Sequence, residues 1–197
     1  MINERLIQQM DFISEIEKLK IVYRQNGVVG GGRQENSAEH SWHIAIMAFT
    51  LQEYAEKDID ILRVIKMLLI HDLVEIYAGD VFLYDDEGRE NIKVPEKKAA
   101  KKIFGLLPED QSCEFNELWN EYEQSSTKEA KYALVLDNLQ PILNHYYTKN
   151  QNIKGKKIKK SQVINKKTCI KEYSDDLWNF ALKTIDKCVA IGLFEDA

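Results

Sequence analysis

Apolar residues recur along this chain at helical spacing. Near the start, Leu6, Ile7, Met10, Ile13, Ile16 and Leu19 alternate with a polar stripe of Glu4, Gln8, Asp11, Glu15 and Lys18, which predicts an amphipathic helix from Asn3 to about Lys20. Ser37 is a suitable N-cap for a second helix to about Lys57, and Asp60 for a third from Ile61 to Tyr77 that Gly79 ends. The acidic, irregular run from Asp80 to Val94 predicts a loop. Pro95 then opens a fourth helix to Leu106, and Pro108 a fifth to about Tyr122. Thr127 caps a sixth that carries Ala133, Leu134, Leu136, Leu139 and Leu143, in which Pro141 is expected to make a kink or free a carbonyl. Asp175 or Ser174 caps a last helix over about 175–191, stopped by Gly192. No alternating pattern of useful length predicts a strand, so the expected class is all-α, a single helical-bundle domain over residues 1–197.

Two stretches interrupt the helical pattern. The glycine-rich run Gly27 to Gly32 lacks the lysine and hydroxyl residue of a phosphate-cradling loop and reads as a mobile connector. Residues Ile153 to Lys167 contain seven lysines and read as a solvated connector, with a basic flap over a phosphate as the alternative. The formal net charge of −5 argues against broad contact with a nucleic-acid polymer but leaves room for a small phosphorylated substrate at a local positive site. Cys113, Cys169 and Cys188 are widely spaced and odd in number. They predict neither a disulfide framework nor a thiolate zinc site, and fit a reducing compartment. The first residues show no signal-peptide pattern, and no apolar run approaches the roughly 18 residues of a membrane span. The expectation is a cytoplasmic protein without membrane contact.

Candidate chemistry rests on few residues. The chain has four histidines, His40, His43, His71 and His145. Helices joined by short turns pack antiparallel, so His40, early in the second helix, and His71, late in the third, are expected to approach. Asp72 adjoins His71, and because neighbouring helix positions differ by about 100° both reach one ion only from a helix edge. Imidazole and carboxylate together suit a borderline divalent ion. Glu75, four residues beyond His71, can reach a water beside the ion as a general acid or base. Asp137 stands alone in an otherwise apolar helix, where a carboxylate is costly to bury unless paired or metal-bound. Pairing with Lys131, or capping of a neighbouring helix, is the alternative.

The strings Arg33-Gln34-Glu35-Asn36-Ser37-Ala38-Glu39-His40-Ser41-Trp42 and His71-Asp72-Leu73-Val74-Glu75-Ile76-Tyr77-Ala78-Gly79-Asp80, followed by Asp137, resemble the HD-domain phosphohydrolases, in particular the HD-domain 5′-deoxynucleotidases. Residues Leu106 to Glu123 resemble the same branch, and the similarity spans roughly residues 15 to 147, leaving the lysine-rich stretch and last helix outside it. The resemblance implies His40, His71, Asp72 and Asp137 as ligands of one divalent metal ion (Co, Mn, Zn, Fe, Ni or Mg). It implies Glu75 and Asp80 as catalytic carboxylates and Arg24 as the arginine that holds the substrate phosphate. Arg33 and Glu35 are expected to order the loop before His40, with a phosphate contact by Arg33 as a second option. His43 is expected in a supporting or core role. One departure is visible: Gln25 follows Arg24 where the family's bacterial members carry an aromatic residue, which leaves the sugar-side contacts open. The activity implied is hydrolysis of (deoxy)nucleoside 5′-monophosphates by a homodimer. The competing readings are hydrolysis of a triphosphate, cyclic nucleotide or alarmone, and a non-catalytic binding module.

Overall fold

The computed structural model describes residues 3–149 and 156–197. Helix α1 (Glu4–Ile16) is capped by Asn3, whose side chain accepts from the Arg5 N–H, and a 3-10 turn over Glu17–Ile21 extends it. The N-terminal part of its apolar stripe is not core. Leu6, Ile7, Met10 and Ile13 are 46–51% exposed, and Phe12 and Leu19 make the buried contacts instead.

The glycine-rich run is the turn region of a hairpin rather than a mobile connector. Strands β1 (Tyr23–Gly27) and β2 (Gln34–Asn36) pair antiparallel, with a register irregularity between Tyr23 and Gly27. Gly30 and Gly32 adopt φ values of 71° and 63°, open to glycine without a Cβ penalty. Strands this short hold too few positions for an alternation to register in the sequence.

Helix α2 (Ser37–Thr50) begins one residue earlier than its expected cap implies. Asn36 is the N-cap, in a capping box with Glu39. This releases the Ser37 hydroxyl to donate to Glu75 Oε2 at 2.6 Å. The helix stops at Thr50 rather than Lys57, and a 3-10 turn over Gln52–Tyr54 leads to a reversal at Asp58, with φ 57°. Residues 52–58 are mostly polar and offer little apolar surface to hold a further helical turn. Helix α3 (Ile61–Ile70), capped by Asp60, tightens into a 3-10 turn over His71–Val74 and resumes as α4 (Glu75–Ala78). Gly79, at φ 82° and ψ 160°, ends it. Only glycine takes this conformation readily, so Gly79 dictates how the chain delivers Asp80.

Helix α5 (Asp86–Phe104) replaces much of the expected acidic loop, and Pro95 lies inside it rather than at its start. The Asp85 side chain accepts from the Gly88 N–H and caps the helix, so it is nucleated well before the proline. Helices α6 (Glu109–Gln124) and α7 (Lys128–Thr148) start at Pro108 and Thr127 as expected, with Pro141 inside α7. Beyond residue 156 come α8 (Lys160–Lys166), α9 (Thr168–Tyr173) and α10 (Asp175–Ala190), the last capped by Ser174 and followed by Gly192 at φ 72°. Part of the lysine-rich stretch, residues 153–155, lies outside the described residues. The rest is no solvated connector: Ile158, Val163 and Lys167 are all buried.

Helix α7 is the axis of the bundle and packs against α2, α3, α6, α9 and α10. Ile44, Met67, Leu68, Tyr132 and Leu136 are fully buried where α2, α3 and α7 meet. The architecture is therefore all-helical with one small hairpin. Among the described residues, no helix is long and apolar enough to cross a membrane.

Candidate metal centre and active-site cavity

The four candidate ligands sit on three mutually packed segments. His40 lies near the start of α2, His71 and Asp72 in the 3-10 turn after α3, and Asp137 in mid α7. His40 Nε2 is 2.9 Å from Asp137 Oδ1, and His71 Nε2 is 2.9 Å from Asp72 Oδ1 and 3.7 Å from Asp137 Oδ1. Ligand atoms of His40, His71 and Asp72 lie within 4.8 Å of one another. Asp137 pairs neither with Lys131 nor with a helix end; its second oxygen accepts from the Tyr122 hydroxyl at 3.0 Å.

Hydrogen bonds on the far side of each ring set the tautomers. His71 Nδ1 is 2.9 Å from the Leu68 carbonyl, which can only accept, so Nδ1 carries the proton. Gln140 Nε2 donates to Glu35 Oε1 at 2.9 Å, which turns Gln140 Oε1 toward His40 Nδ1 at 3.1 Å. In both rings Nε2 is then the nitrogen directed into the cluster, and its lone pair is open to an ion when that nitrogen carries no proton, the arrangement of a metal-bound histidine. His71 Nε2 is buried with no hydrogen-bond partner among the described residues. Two imidazole nitrogens and two carboxylates form a donor set suited to zinc, manganese, iron, cobalt or nickel, and less to magnesium, which prefers oxygen.

Electrostatics point the same way. Burial works against charge on both His71 and Asp137. It is outweighed on His71 by Asp72 and Asp137, which hold the imidazole well above its usual pKa, and on Asp137 by His40 and His71, which hold the carboxyl well below its own. A proton on His71 thus supplies the positive charge that the carboxylates demand, and a divalent ion would compete with it.

A cavity of about 390 Å³ opens beside the cluster. Arg24, Asp72, Glu75, Asp80 and Asp137 are in its wall. Arg24 extends from β1 and donates to Asp72 Oδ2 at 2.9 Å, while its Nε lies 4.0 Å from Glu35 Oε2 and is buried without a hydrogen-bond acceptor among the described residues. Burial, then the Asp72 charge, push the Glu75 carboxyl well above the ordinary range despite the Ser37 hydrogen bond. Burial raises Asp80 as well, against the pull of Arg24.

Arg33 does not line this cavity. Its guanidinium is taken by Glu39 at 2.6 and 2.9 Å, so it braces the N-cap of α2 and the structure brings it to no phosphate site. Glu35 is buried and receives Asn26, Gln140 and Asn144, joining the hairpin to α7. His43 Nδ1 lies 3.3 Å from Gln140 Nε2, behind His40 rather than in the ligand set. His145 lines the cavity, and burial holds its imidazole down to about 3. Gln25 lines it too, with Lys156 Nζ donating to its Oε1 at 3.0 Å. The structure adds four contributors that the sequence pattern does not single out: Gln140, Tyr122, Asn138 and Lys167. For Gln140 a signal existed, since a glutamine three residues after Asp137 shares its helix face.

A helical frame with a two-histidine, two-carboxylate cluster beside an arginine-bearing cavity is the class of site that could hold a divalent metal ion. A family model described as "HD domain" matches residues 16–178, and the chain belongs to the HD-domain family. It is 35% identical over 136 residues to "5'-deoxynucleotidase HDDC2" of Bos taurus, covering 68% of this chain and 64% of that protein. The Homo sapiens protein of the same name is also 35% identical over 136 residues, with 68% of this chain and 65% of that protein covered. The chain thus spans just under two thirds of these relatives. Among solved structures, a predicted metal-dependent phosphohydrolase from Magnetospirillum magnetotacticum MS-1 superposes with a TM-score of 0.90 at 43% identity, covering 98% of this chain and 100% of that one.

Proposed function

We propose that this chain is a metal-dependent phosphohydrolase that cleaves (deoxy)nucleoside 5′-monophosphates to nucleoside and inorganic phosphate. The observation that carries the reading is Arg24: a half-buried guanidinium, anchored on Asp72, in the same cavity wall as Glu75 and Asp80. A divalent ion held by His40, His71, Asp72 and Asp137 would supply charge stabilisation for the phosphoryl group and acidify water. Arg24 neutralises the phosphate and fixes its orientation through charge-assisted hydrogen bonds. Glu75 and Asp80, whose carboxyls hold protons more readily than exposed ones, accept a proton from water and return it to the leaving alcohol. Positioning and charge stabilisation are what phosphoryl transfer chiefly requires. The relatives named as 5′-deoxynucleotidases support the substrate class. Gln25, bound to Lys156, gives the cavity a polar wall beside Arg24, so ribose and deoxyribose substrates belong in the same assay.

The test is a screen of all ribo- and deoxyribonucleoside monophosphates with several divalent metals, scored by phosphate release. Activity on monophosphates that disappears, together with bound metal, in Asp72→Ala is the expected result. Release of pyrophosphate or tripolyphosphate from triphosphates, with monophosphates untouched, would overturn the reading. We further propose a homodimer, supported by the exposed apolar stripe Trp42, Ile46 and Phe49 on α2, in the cytoplasm, where the free thiols of Cys113, Cys169 and Cys188 fit a reducing compartment.

A further inference from the structure

Lys167 stands between α8 and α9, outside the segments that carry the ligand set, and the hydrolysis above makes no use of it. It lines the cavity, yet only 3% of it is exposed. Its Nζ donates to Asn138 Oδ1 at 2.9 Å, and Asn138 Nδ2 is committed to the Leu134 carbonyl at 2.8 Å. An ammonium carries three N–H donors. Here one neutral amide oxygen receives from it, and no ion pair to it forms among the described residues. Burial lowers its pKa to about 8; the Asp137 charge opposes this, while Arg24 and Arg89 add to it. A cation desolvated to this degree with one neutral partner is costly unless an anion completes its shell. Asn138 directly follows Asp137, so Lys167 approaches the ligand cluster from the Asp137 side as Arg24 does from the Asp72 side.

We propose that Lys167 is a substrate-binding residue whose free N–H groups take an oxygen of the phosphate that Arg24 also holds. This rests on the phosphohydrolase reading and adds to it a second cation, contributed by the C-terminal segment. It also gives part of the lysine-rich stretch a role as a basic wall over the phosphate.

The test uses the full metal-loaded protein and inorganic phosphate as probe. Phosphate binding is measured by calorimetry without turnover, and as competitive inhibition where turnover exists, in wild type, K167M, K167Q and K167R. The expected result is roughly 10- to 100-fold weaker phosphate binding in K167M and K167Q, the loss of a charge-assisted hydrogen bond, with partial recovery in K167R. Unfolding midpoints should be unchanged or raised, since a buried charge is removed. If K167M does not fold, K167Q carries the comparison. Wild-type phosphate affinity in a folded K167Q overturns the proposal, and so does a loss confined to one nucleobase with phosphate binding intact. The two readings fail separately. Turnover of monophosphates with unchanged phosphate binding in K167Q removes the Lys167 contact alone. Lys167-dependent phosphate binding without monophosphate turnover removes the monophosphatase reading and leaves the contact.

Discussion

Gln140 is a glutamine with no exposed surface whose two amide atoms serve two charged or metal-directed partners: Oε1 faces His40 Nδ1 and Nε2 donates to Glu35 Oε1. Gln140→Leu keeps the volume and deletes both bonds, together with the weaker 3.3 Å contact of Nε2 with His43 Nδ1. It leaves the His40 N–H without an acceptor and removes the 2.9 Å donor to Glu35. A buried polar group left unsatisfied costs about 1–3 kcal/mol, and Glu35 keeps Asn26 and Asn144 as partners, so a net destabilisation of about 2–4 kcal/mol is expected. At roughly 2–4 °C per kcal/mol for a chain of this size, the melting temperature falls by about 5–15 °C. The larger consequence is for the metal. Without its acceptor, His40 loses both tautomer and ring orientation, and loss of such an outer partner typically weakens metal affinity about 10- to 100-fold. Competition against a chromophoric chelator measures this directly. Gln140→Glu separates the two effects: it keeps an acceptor for His40 but faces Glu35 with a like charge, so stability should fall while metal affinity is retained. A folded Gln140→Leu protein that binds metal as tightly as wild type would refute the tautomer argument.

Arg24→Met should raise KM for a nucleoside monophosphate roughly 10- to 100-fold with bound metal retained; an unchanged KM removes Arg24 from the phosphate site. Glu75→Gln should lower kcat by about 10²–10⁴ at unchanged metal content, and near-normal kcat would exclude it from proton transfer. The buried His145 has its pKa held down to about 3, first by burial and then by the charges of Lys167 and Arg24. Between the ordinary 6.5 and 3 the unfolded chain therefore takes up a proton that the folded chain refuses. Its contribution to stability is full above pH 6.5 and declines as pH falls, by roughly 2–3 kcal/mol at pH 4.5. His145→Gln should flatten that part of the wild-type acid sensitivity in denaturant titrations, whereas parallel pH slopes would count against it. Phe49→Lys should convert the proposed dimer to monomer in sedimentation, and a monomeric wild type would remove that proposal.

Much of the helical frame was legible because its signals are local. Asp60, Thr127 and Ser174 cap the helices they were expected to cap, and Pro108 and Gly79 punctuate where expected, since each acts on backbone groups within a few residues. The candidate ligands were legible as residue types in order, and Asp137 stood out because a carboxylate in an apolar helix needs a partner. What the sequence could not supply was which distant groups meet. Short strands gain their hydrogen bonds from each other, so the hairpin at Tyr23–Asn36 left no periodic trace. The sequence around Pro95 predicts a helix start because a proline that a long α5 tolerates looks the same as one that begins a helix. Arg33 and Arg24 are equally charged in sequence. Only folding puts the first on Glu39 at the surface and the second against Asp72 in the cavity. Lys167 belongs to a run of lysines that composition places in water, and the packing of α8 and α9 against the bundle buries this one. The sequence by itself determined most of the helices up to residue 148, the last helix and the inventory of possible ligands, because caps, breakers and periodicity are short-range. Tertiary structure alone decided the tautomers, the shifted carboxyls and which cations face the cavity, because those depend on burial and on partners up to about a hundred residues away along the chain.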